Sequence, residues 1–247
     1  MADDSVVYPN APITEAVCDI RVTPRAGIDA SELTDFAARL RGDYPNTEDQ
    51  DEVRVEVAAT NADAPTITRR KLGVLGRSQN NDRTYQAQLT GLSVGKLRPY
   101  IRWHDLKAEA QRIWAVYKEV ARPEGLERLA LRYINRIDLP GPTPIHLEDY
   151  LRTYVAVSDD IRGSLSNFFV QIHSTQEDVG GMSVVNIGGL PPAIAGGASI
   201  LLDIDVFRLG NIPEGDDEMW SFFDRLRVRK NEIFEACITD KARETFR

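Results

Sequence analysis

The sequence is poor in the residues that support redox and metal chemistry. Its 247 residues include only two cysteines, Cys18 and Cys237, and three histidines. Two cysteines cannot build a disulfide framework, and their spacing matches no metal-ligand motif. Each lies in an apolar pattern, where a free cysteine is usually a small buried side chain. We therefore expect neither a disulfide nor a cofactor.

Long hydrophobic runs are also absent. No N-terminal apolar stretch resembles a signal peptide, and no segment approaches the roughly 20 apolar residues of a membrane-spanning helix. Hydrophobic residues make up 42% of the chain and charged residues 28%, which is typical of a folded globular protein. These features predict a cytoplasmic protein without membrane contact.

Positive charge is in deficit, and the common catalytic motifs are missing. The net charge is −8, which disfavours non-specific binding to nucleic acid, since that affinity comes mainly from neutralising phosphates. No GxSxG, HExxH or GxxxxGK[ST] pattern occurs. The histidines His104, His146 and His173 fall in separate predicted elements, and we expect the first two to be exposed.

The most informative stretch is LERLALRYINRIDL, residues 126–139. Its alternation predicts a long central β-strand, because successive side chains of a strand point to opposite faces. One face is apolar and consists of Leu129, Leu131, Tyr133 and Ile137. The other carries three arginines, Arg128, Arg132 and Arg136. An arginine row in mid-strand is unusual and is the starting point for a site prediction.

The remaining elements follow from periodicity and from turn and capping residues. In the first half we predict strands at 13–22, 53–57, 66–75 and 85–90, a turn at 61–65, and helices at 29–42 and 103–121. The first helix has a capping box formed by Asp29 and Glu32. In the second half we predict strands at 126–139, 165–174, 183–187 and 199–207, a short helix capped by Thr143 and a long helix at 216–237.

This order of elements repeats. After an N-terminal arm at 1–10, residues 11–123 and 124–247 each read β-α-β-β-β-α. The predicted fold class is α+β, with one continuous curved antiparallel sheet whose helices cover one face. The topology resembles that of the TATA-binding-protein-like fold, and fold-level similarity of this kind carries no function.

The sheet face that carries the arginines is the candidate site. If the first strands of the two halves meet, Glu15 and Asp19 lie near Arg128, Arg132 and Arg136. Strand alternation adds His173, Asp203 and Asp205 to the same face, although a slip of one residue would turn any strand over.

Three interpretations of this face stay open. Cross-strand ion pairs on a solvated face need no function at all. Arginines also suit planar recognition of carboxylate or phosphate, which favours a site for a protein partner or a small anionic ligand. In the third, Asp203 and Asp205 hold a divalent cation beside phosphate-binding arginines, as in a metal-dependent phosphohydrolase. The acidic ExExK strand of triphosphate-tunnel enzymes is missing, however.

Four segments together resemble a family of sporadically distributed, uncharacterised bacterial proteins of about 250 residues. They are NAPITEAVCDIR at 10–21, RPYIRWHDLKAEAQRIWAVY at 98–117, LALRYINRIDLP at 129–140 and the stretch 207–246, with RYIN and ITDKAR as the most specific pieces. The resemblance implies a bacterial cytosolic protein with an accessory or defence-linked role and no assigned activity. We therefore predict a binding or interaction module; whether it catalyses a reaction or forms a homodimer stays open.

Overall fold

The computed structural model describes residues 8–56, 66–100, 102–139, 146–158, 160, 167–193, 195–213 and 215–247. The strands are β1 (Ile13–Thr23), β2 (Asn46–Glu56), β3 (Thr66–Arg77), β4 (Arg83–Gln88), β5 (Gly91–Leu97), β6 (Gly125–Leu139), β7 (Phe169–Gln176), β8 (Gly181–Leu190) and β9 (Ala198–Leu209). The α-helices are α1 (Leu33–Leu40), α2 (Trp103–Ala121), α3 (Asp216–Cys237) and α4 (Asp240–Glu244). Within the described part of the chain, no helix has the length and apolar character needed to cross a membrane.

The nine strands belong to one antiparallel sheet, in the order β2-β3-β4-β5-β1-β6-β9-β8-β7. The α+β class with a single large antiparallel sheet is thereby confirmed. The chain forms two compact units, and β1 contributes to both. Unit 1 comprises Met1–Cys18, Arg98–Ile101 and Arg128–Arg247, and unit 2 comprises Asp19–Leu97 and Arg102–Glu127.

Strand β6 is the centre of unit 1. The predicted apolar face is confirmed, since Leu129, Leu131, Tyr133 and Ile137 are each at most 2% exposed. The start of β1 is hydrogen-bonded to β6. The Arg136 N–H donates to the Pro12 carbonyl at 2.9 Å, and the Thr14 hydroxyl donates to the Ile134 carbonyl at 2.9 Å. Cross-strand pairing then runs from β6 to β9, β8 and β7.

Helix α3 covers the apolar face of unit 1, where it packs against β9. Its buried stripe contains the predicted residues Trp220, Phe223, Leu226, Phe234 and Cys237. Three acidic residues in its first turn complement the positive end of the helix dipole. Helix α4 is capped by Thr239, whose hydroxyl accepts a hydrogen bond from the Ala242 N–H at 3.3 Å.

Unit 2 contains β2 to β5 together with α1 and α2. The predicted capping box is confirmed, because the Asp29 side chain accepts from the Ser31 N–H and the Glu32 side chain from the Asp29 N–H. The buried rings pack edge to face: the Phe36 ring lies 5.2 Å from that of Tyr85 and 6.0 Å from that of Tyr117. Such aromatic pairs stabilise a core beyond their buried area alone.

One strand of unit 2 was not predicted. Strand β5 pairs with β4 along its whole length, so this part of the chain holds four strands where periodicity predicts three. Two glycines, Gly91 and Gly95, weaken the alternation on which that prediction rests. Gly91 is required by packing, since a Cβ atom there would lie 2.3 Å from the Ile20 carbonyl oxygen.

The short helix predicted after Thr143 is not found in the described residues, which resume at 146. From Leu147 the chain makes only a single 3₁₀ turn, Leu147–Asp149. The backbone beyond it bonds to the end of α3 instead, because the Arg152 N–H donates to the Cys237 carbonyl at 2.8 Å and the Thr239 N–H to the Tyr150 carbonyl at 3.1 Å. Those bonds replace the ones a helix would have made.

Two strands begin more than two residues away from their predicted starts. Strand β2 begins at Asn46, earlier than predicted, and β7 begins at Phe169, whereas the prediction began at 165. The predicted turn at 61–65 and the start of the predicted strand at 165–166 lie outside the described residues. With an additional strand in the first half and a 3₁₀ turn in place of a helix in the second, the strict repeat of elements is not confirmed.

The burial of β6 generates a stability prediction. Leu131→Ala should lower the free energy of unfolding by about 2–5 kcal/mol, because Leu131 is fully buried and the change leaves a cavity. Leu209→Ala is the matched control in the same sheet, and should cost less than about 0.5 kcal/mol, since Leu209 is 64% exposed. Urea denaturation of the two variants measures both values, and equal losses would contradict the central position of β6.

Candidate functional site

The charged face of unit 1 is the surface of β6 and β9 that carries Arg128, Arg132, Arg136, Asp203 and Asp205. Pairing of β6 with β9 sets Arg132 opposite Asp205 and Ile134 opposite Asp203. Asp205 in turn lies opposite Val184, and Val184 opposite His173. Antiparallel register therefore puts His173 on this face too, because directly opposed residues share one side of a sheet.

The Arg132–Asp203 pair is the best-defined contact on the charged face. Arg132 donates from Nε to Asp203 Oδ1 at 2.8 Å and from Nη2 to Oδ2 at 2.7 Å, a bidentate geometry. Asn186 donates a third bond to Oδ2 at 3.0 Å. The Asp203 side chain is only 4% exposed, whereas that of Arg132 is 48% exposed. The hydrogen bonds to Asp203 raise the pKa of Arg132, so the guanidinium stays charged.

The other two arginines are paired as well. Arg128 donates to Asp205 at 2.7 Å, and its guanidinium lies over the Phe207 ring at 4.5 Å. Arg136 donates to Asp138 Oδ1 at 2.8 Å, to the Ser199 hydroxyl oxygen at 2.9 Å and to the Pro191 carbonyl at 2.7 Å. All three arginines of the predicted row therefore have an aspartate partner.

The ion-pair partner of Arg132 is Asp203 and not one of the predicted neighbours Glu15 and Asp19. Glu15 lies within electrostatic range and is half-buried. Burial raises the pKa of Glu15, Asp203 raises it further and Arg132 lowers it. Asp19 belongs to unit 2, where it forms an ion pair with Arg21 at 2.8 Å and accepts from the Ser93 hydroxyl at 2.6 Å.

The charge balance of this face disfavours free anions. Three arginines face three aspartate partners, and Glu15 adds a carboxylate beside them. An incoming phosphate would compete with carboxylates that already occupy the guanidinium donors. The arrangement therefore suits a surface that presents both signs of charge.

The metal site predicted at Asp203 and Asp205 stays a prediction. Both carboxylates accept hydrogen bonds from arginine, so a cation would compete with a guanidinium at each. Across the described residues, no three His, Cys, Asp or Glu side chains are grouped so that they could hold a metal. The exposed His173 bonds to Gln171 at 2.9 Å.

A buried lysine on the opposite face of β6 was missed by the sequence analysis. Lys230, on α3, is only 7% exposed, and its Nζ lies 3.7 Å from the centroid of the Tyr133 ring. Such a cation–π contact partly compensates for lost hydration. The Tyr133 hydroxyl lies 2.6 Å from the hydroxyl of Tyr100. Lys230 thus belongs to the core, where an ammonium group is uncommon.

Burial governs the titration of this group. It lowers the pKa of Lys230 to about 7; the positive charge of Arg227 lowers it too, and Glu235 opposes them. Burial also raises the pKa of Tyr133, with a further contribution from Tyr100. The signal was present in the sequence, since Lys230 falls four residues after Leu226 and four before Phe234, on the apolar stripe of α3.

Comparison with known proteins does not assign the chain to a family. No protein-family model matches the chain, and no curated protein matches it either. The family resemblance of the four segments therefore stays a prediction, and the geometry of the site carries the functional argument.

The Arg132–Asp203 contact predicts coupled stability effects. Arg132→Ala should cost about 2–4 kcal/mol of unfolding free energy, because it leaves the buried Asp203 carboxylate with Asn186 alone. Arg132→Ala/Asp203→Asn should recover part of that loss, since an amide carries no charge. Urea denaturation of the single and double variants gives the coupling energy.

Arg39→Ala is the matched control for the double-mutant cycle of Arg132 and Asp203. Arg39 pairs with Asp35 and Glu119 through exposed side chains, and exposed ion pairs contribute little. Its effect should be clearly smaller than that of Arg132→Ala. Additive losses in the Arg132 and Asp203 variants would show that the two side chains do not depend on each other.

Lys230 predicts a dependence of stability on pH. Its pKa is about 7 in the folded protein, compared with an ordinary value of 10.5. Between those values the unfolded chain binds more protons, so stability rises with pH by up to about 1.4 kcal/mol per pH unit from this group. Below pH 7 Lys230 is charged in both the folded and the unfolded protein, and the free-energy cost of burying its charge is then fully present.

Lys230→Met isolates this contribution. The variant should be more stable than the wild type near neutral pH, and the difference should shrink as the pH approaches 10. Urea denaturation at several pH values from 7 to 10 measures the difference in unfolding free energy between the two proteins. The titration of all other groups cancels in this difference. A difference that stays constant with pH would mean that Lys230 keeps its ordinary pKa in the folded protein.

Proposed function

We propose that this protein is a binding module whose charged face contacts a protein partner, with Arg132 as the principal contact residue. The single observation that carries the proposal is the Arg132–Asp203 geometry. The carboxylate is buried and bonded by two residues, while nearly half of the arginine side chain is exposed. Arg132 is thus held in one orientation at a surface.

A guanidinium held in this way is preorganised for recognition. Arg132 uses Nε and Nη2 for Asp203, which leaves the N–H groups of Nη1 for a carbonyl or carboxylate of the partner. Because the orientation is already fixed, little side-chain entropy is lost on binding. Arginine is also among the residues that dominate binding energy in protein interfaces.

A protein partner fits the charge pattern better than a small anion does. Positive and negative groups alternate over β6 and β9, and each arginine is neutralised by an aspartate. A complementary protein surface can match both signs, which gives specificity rather than simple attraction. The phosphohydrolase alternative, with Asp203 and Asp205 as metal ligands, has weaker support because a metal ion would compete with an arginine for each carboxylate.

The proposal also includes a fold of two related halves, a bacterial cytoplasmic setting and an accessory role. Residues 11–123 and 124–247 each begin with a long strand and have one long helix after their last strand, which supports two related halves of TATA-binding-protein-like topology in a looser form than β-α-β-β-β-α. A bacterial, cytoplasmic setting and an accessory or defence-linked role rest on the resemblance of segments such as RYIN and ITDKAR.

The proposal predicts selective loss of binding at Arg132. Affinity-tagged wild type, Arg132→Ala and Arg132→Lys would each be used to capture partners from a native bacterial lysate, with quantitative mass spectrometry of what is retained. A partner should be retained by the wild type and lost with Arg132→Ala. Arg132→Lys should recover little of it, because an ammonium cannot replace the fork of a guanidinium.

Two controls separate binding from folding. Arg152→Ala removes another exposed arginine of unit 1 and should leave capture unchanged. Arg132→Ala/Asp203→Asn relieves the stranded carboxylate, so loss of the partner in this more stable double variant reflects binding itself. Identical capture profiles for all variants would contradict the proposal, and tight binding of inorganic phosphate in calorimetry would favour the enzyme alternative.

A further inference from the structure

Strand β7 lies at one end of the strand order and has a strand neighbour only on its β8 side. The backbone groups along its outer side therefore have no ladder partner among the described strands. An open edge of this kind is a template for another strand, and proteins normally protect it with charge, proline or a bulge.

The sequence of β7 contains none of these protections. Its eight residues, FVQIHSTQ, include no Asp, Glu, Lys, Arg, Pro or Gly, and the β7–β8 register runs without a bulge. Strand β2, at the other end of the order, provides the contrast. Six of its eleven residues are charged, and its pairing with β3 is interrupted at Gln50 and Asp51. The β2 edge is therefore protected against pairing with another strand, whereas the β7 edge is not.

The apolar core also reaches the β7 edge. One row of paired residues runs from Tyr133 through Ile204 and Val185 to Ile172. The first three are at most 6% exposed, but Ile172 at the edge is only half-buried. Phe169, at the start of the same strand, is 63% exposed on the other face. A further strand beside β7 would complete the burial of this row.

We propose that β7 pairs antiparallel with β7 of a second copy of this chain, about a two-fold axis at Ile172. This register sets Ile172 opposite itself, Gln171 opposite His173 and Val170 opposite Ser174. It keeps core-facing side chains on one side of the combined sheet, since each pair has matching alternation. Because β7 contains no Asp, Glu, Lys or Arg, its pairing with a second copy places no two like charges opposite each other in any register.

A second copy is favoured over an unrelated peptide because β7 offers no charge by which to select one. Two-fold symmetric dimers are the commonest oligomers, and their interfaces must be self-complementary. The β7 strand meets that requirement, because its polar residues Gln171 and His173 lie opposite each other on both sides of the axis. The homodimer uses the edge of β7 and does not involve Arg132, which lies on β6.

The first experiment measures mass in solution. Wild-type protein should have twice the monomer mass in sedimentation equilibrium and should dissociate on dilution. Gln171→Lys/His173→Lys places two pairs of ammonium groups opposite each other and should be monomeric. Val228→Lys/Ala236→Lys, which changes exposed positions of α3, adds the same charge elsewhere and should stay dimeric.

Thermal unfolding by circular dichroism confirms that each variant is folded. A wild type that is monomeric at its solubility limit would overturn the proposal, as would a Gln171→Lys/His173→Lys variant that dimerises as well as the wild type. Either result leaves the proposed function intact, because capture of a partner through Arg132 does not need the β7 edge.

A second experiment tests the register. With Ile172→Cys, a short bis-maleimide should link two chains, since directly opposed residues have Cβ atoms roughly 5 Å apart. Thr175→Cys is the control, because its two copies would lie about 20 Å apart, given roughly 3.3 Å per residue. The native Cys18 and Cys237 are buried. Efficient linking of Thr175→Cys without linking of Ile172→Cys would overturn the axis at Ile172.

Discussion

The alternation of side chains along β6 is the constraint on which unit 1 depends. Arg132 and Tyr133 are neighbours in the chain but lie on opposite faces of the sheet. Tyr133 faces α3 and the buried Lys230, whereas Arg132 faces solvent and holds Asp203. A shift of β6 by one residue would put guanidinium groups into the core and leucines in water, so the charged face and the core fix the register together.

The two faces solve the problem of buried charge in different ways. Asp203 is nearly inaccessible, yet it receives bonds from Arg132 and Asn186, so its charge is compensated. Lys230 has the Tyr133 ring as its closest contact, and burial lowers its pKa to about 7. Replacing such groups by apolar ones often stabilises a protein.

Long periodic elements were predictable from the sequence. Helix α2 begins and ends as predicted, and β6 and α3 agree closely, because each carries its own period over at least 15 residues. Shorter elements were not. Strand β5 was hidden by two glycines, and the region after Leu147 stays non-helical because its backbone bonds to residues about 90 positions away. Local pattern has no access to such bonds.

The sequence alone determined the α+β class, the central strand and the fact that three arginines share one face. These follow from periodicity, which is a property of the chain itself. Only the tertiary structure decided that Arg132 pairs with Asp203 rather than with Glu15 or Asp19, and that Lys230 lies in the core. The pairing of Arg132 with Asp203 depends on register between residues 71 positions apart, and burial depends on which helix covers which face. Neither quantity is encoded in the spacing of residues along one element.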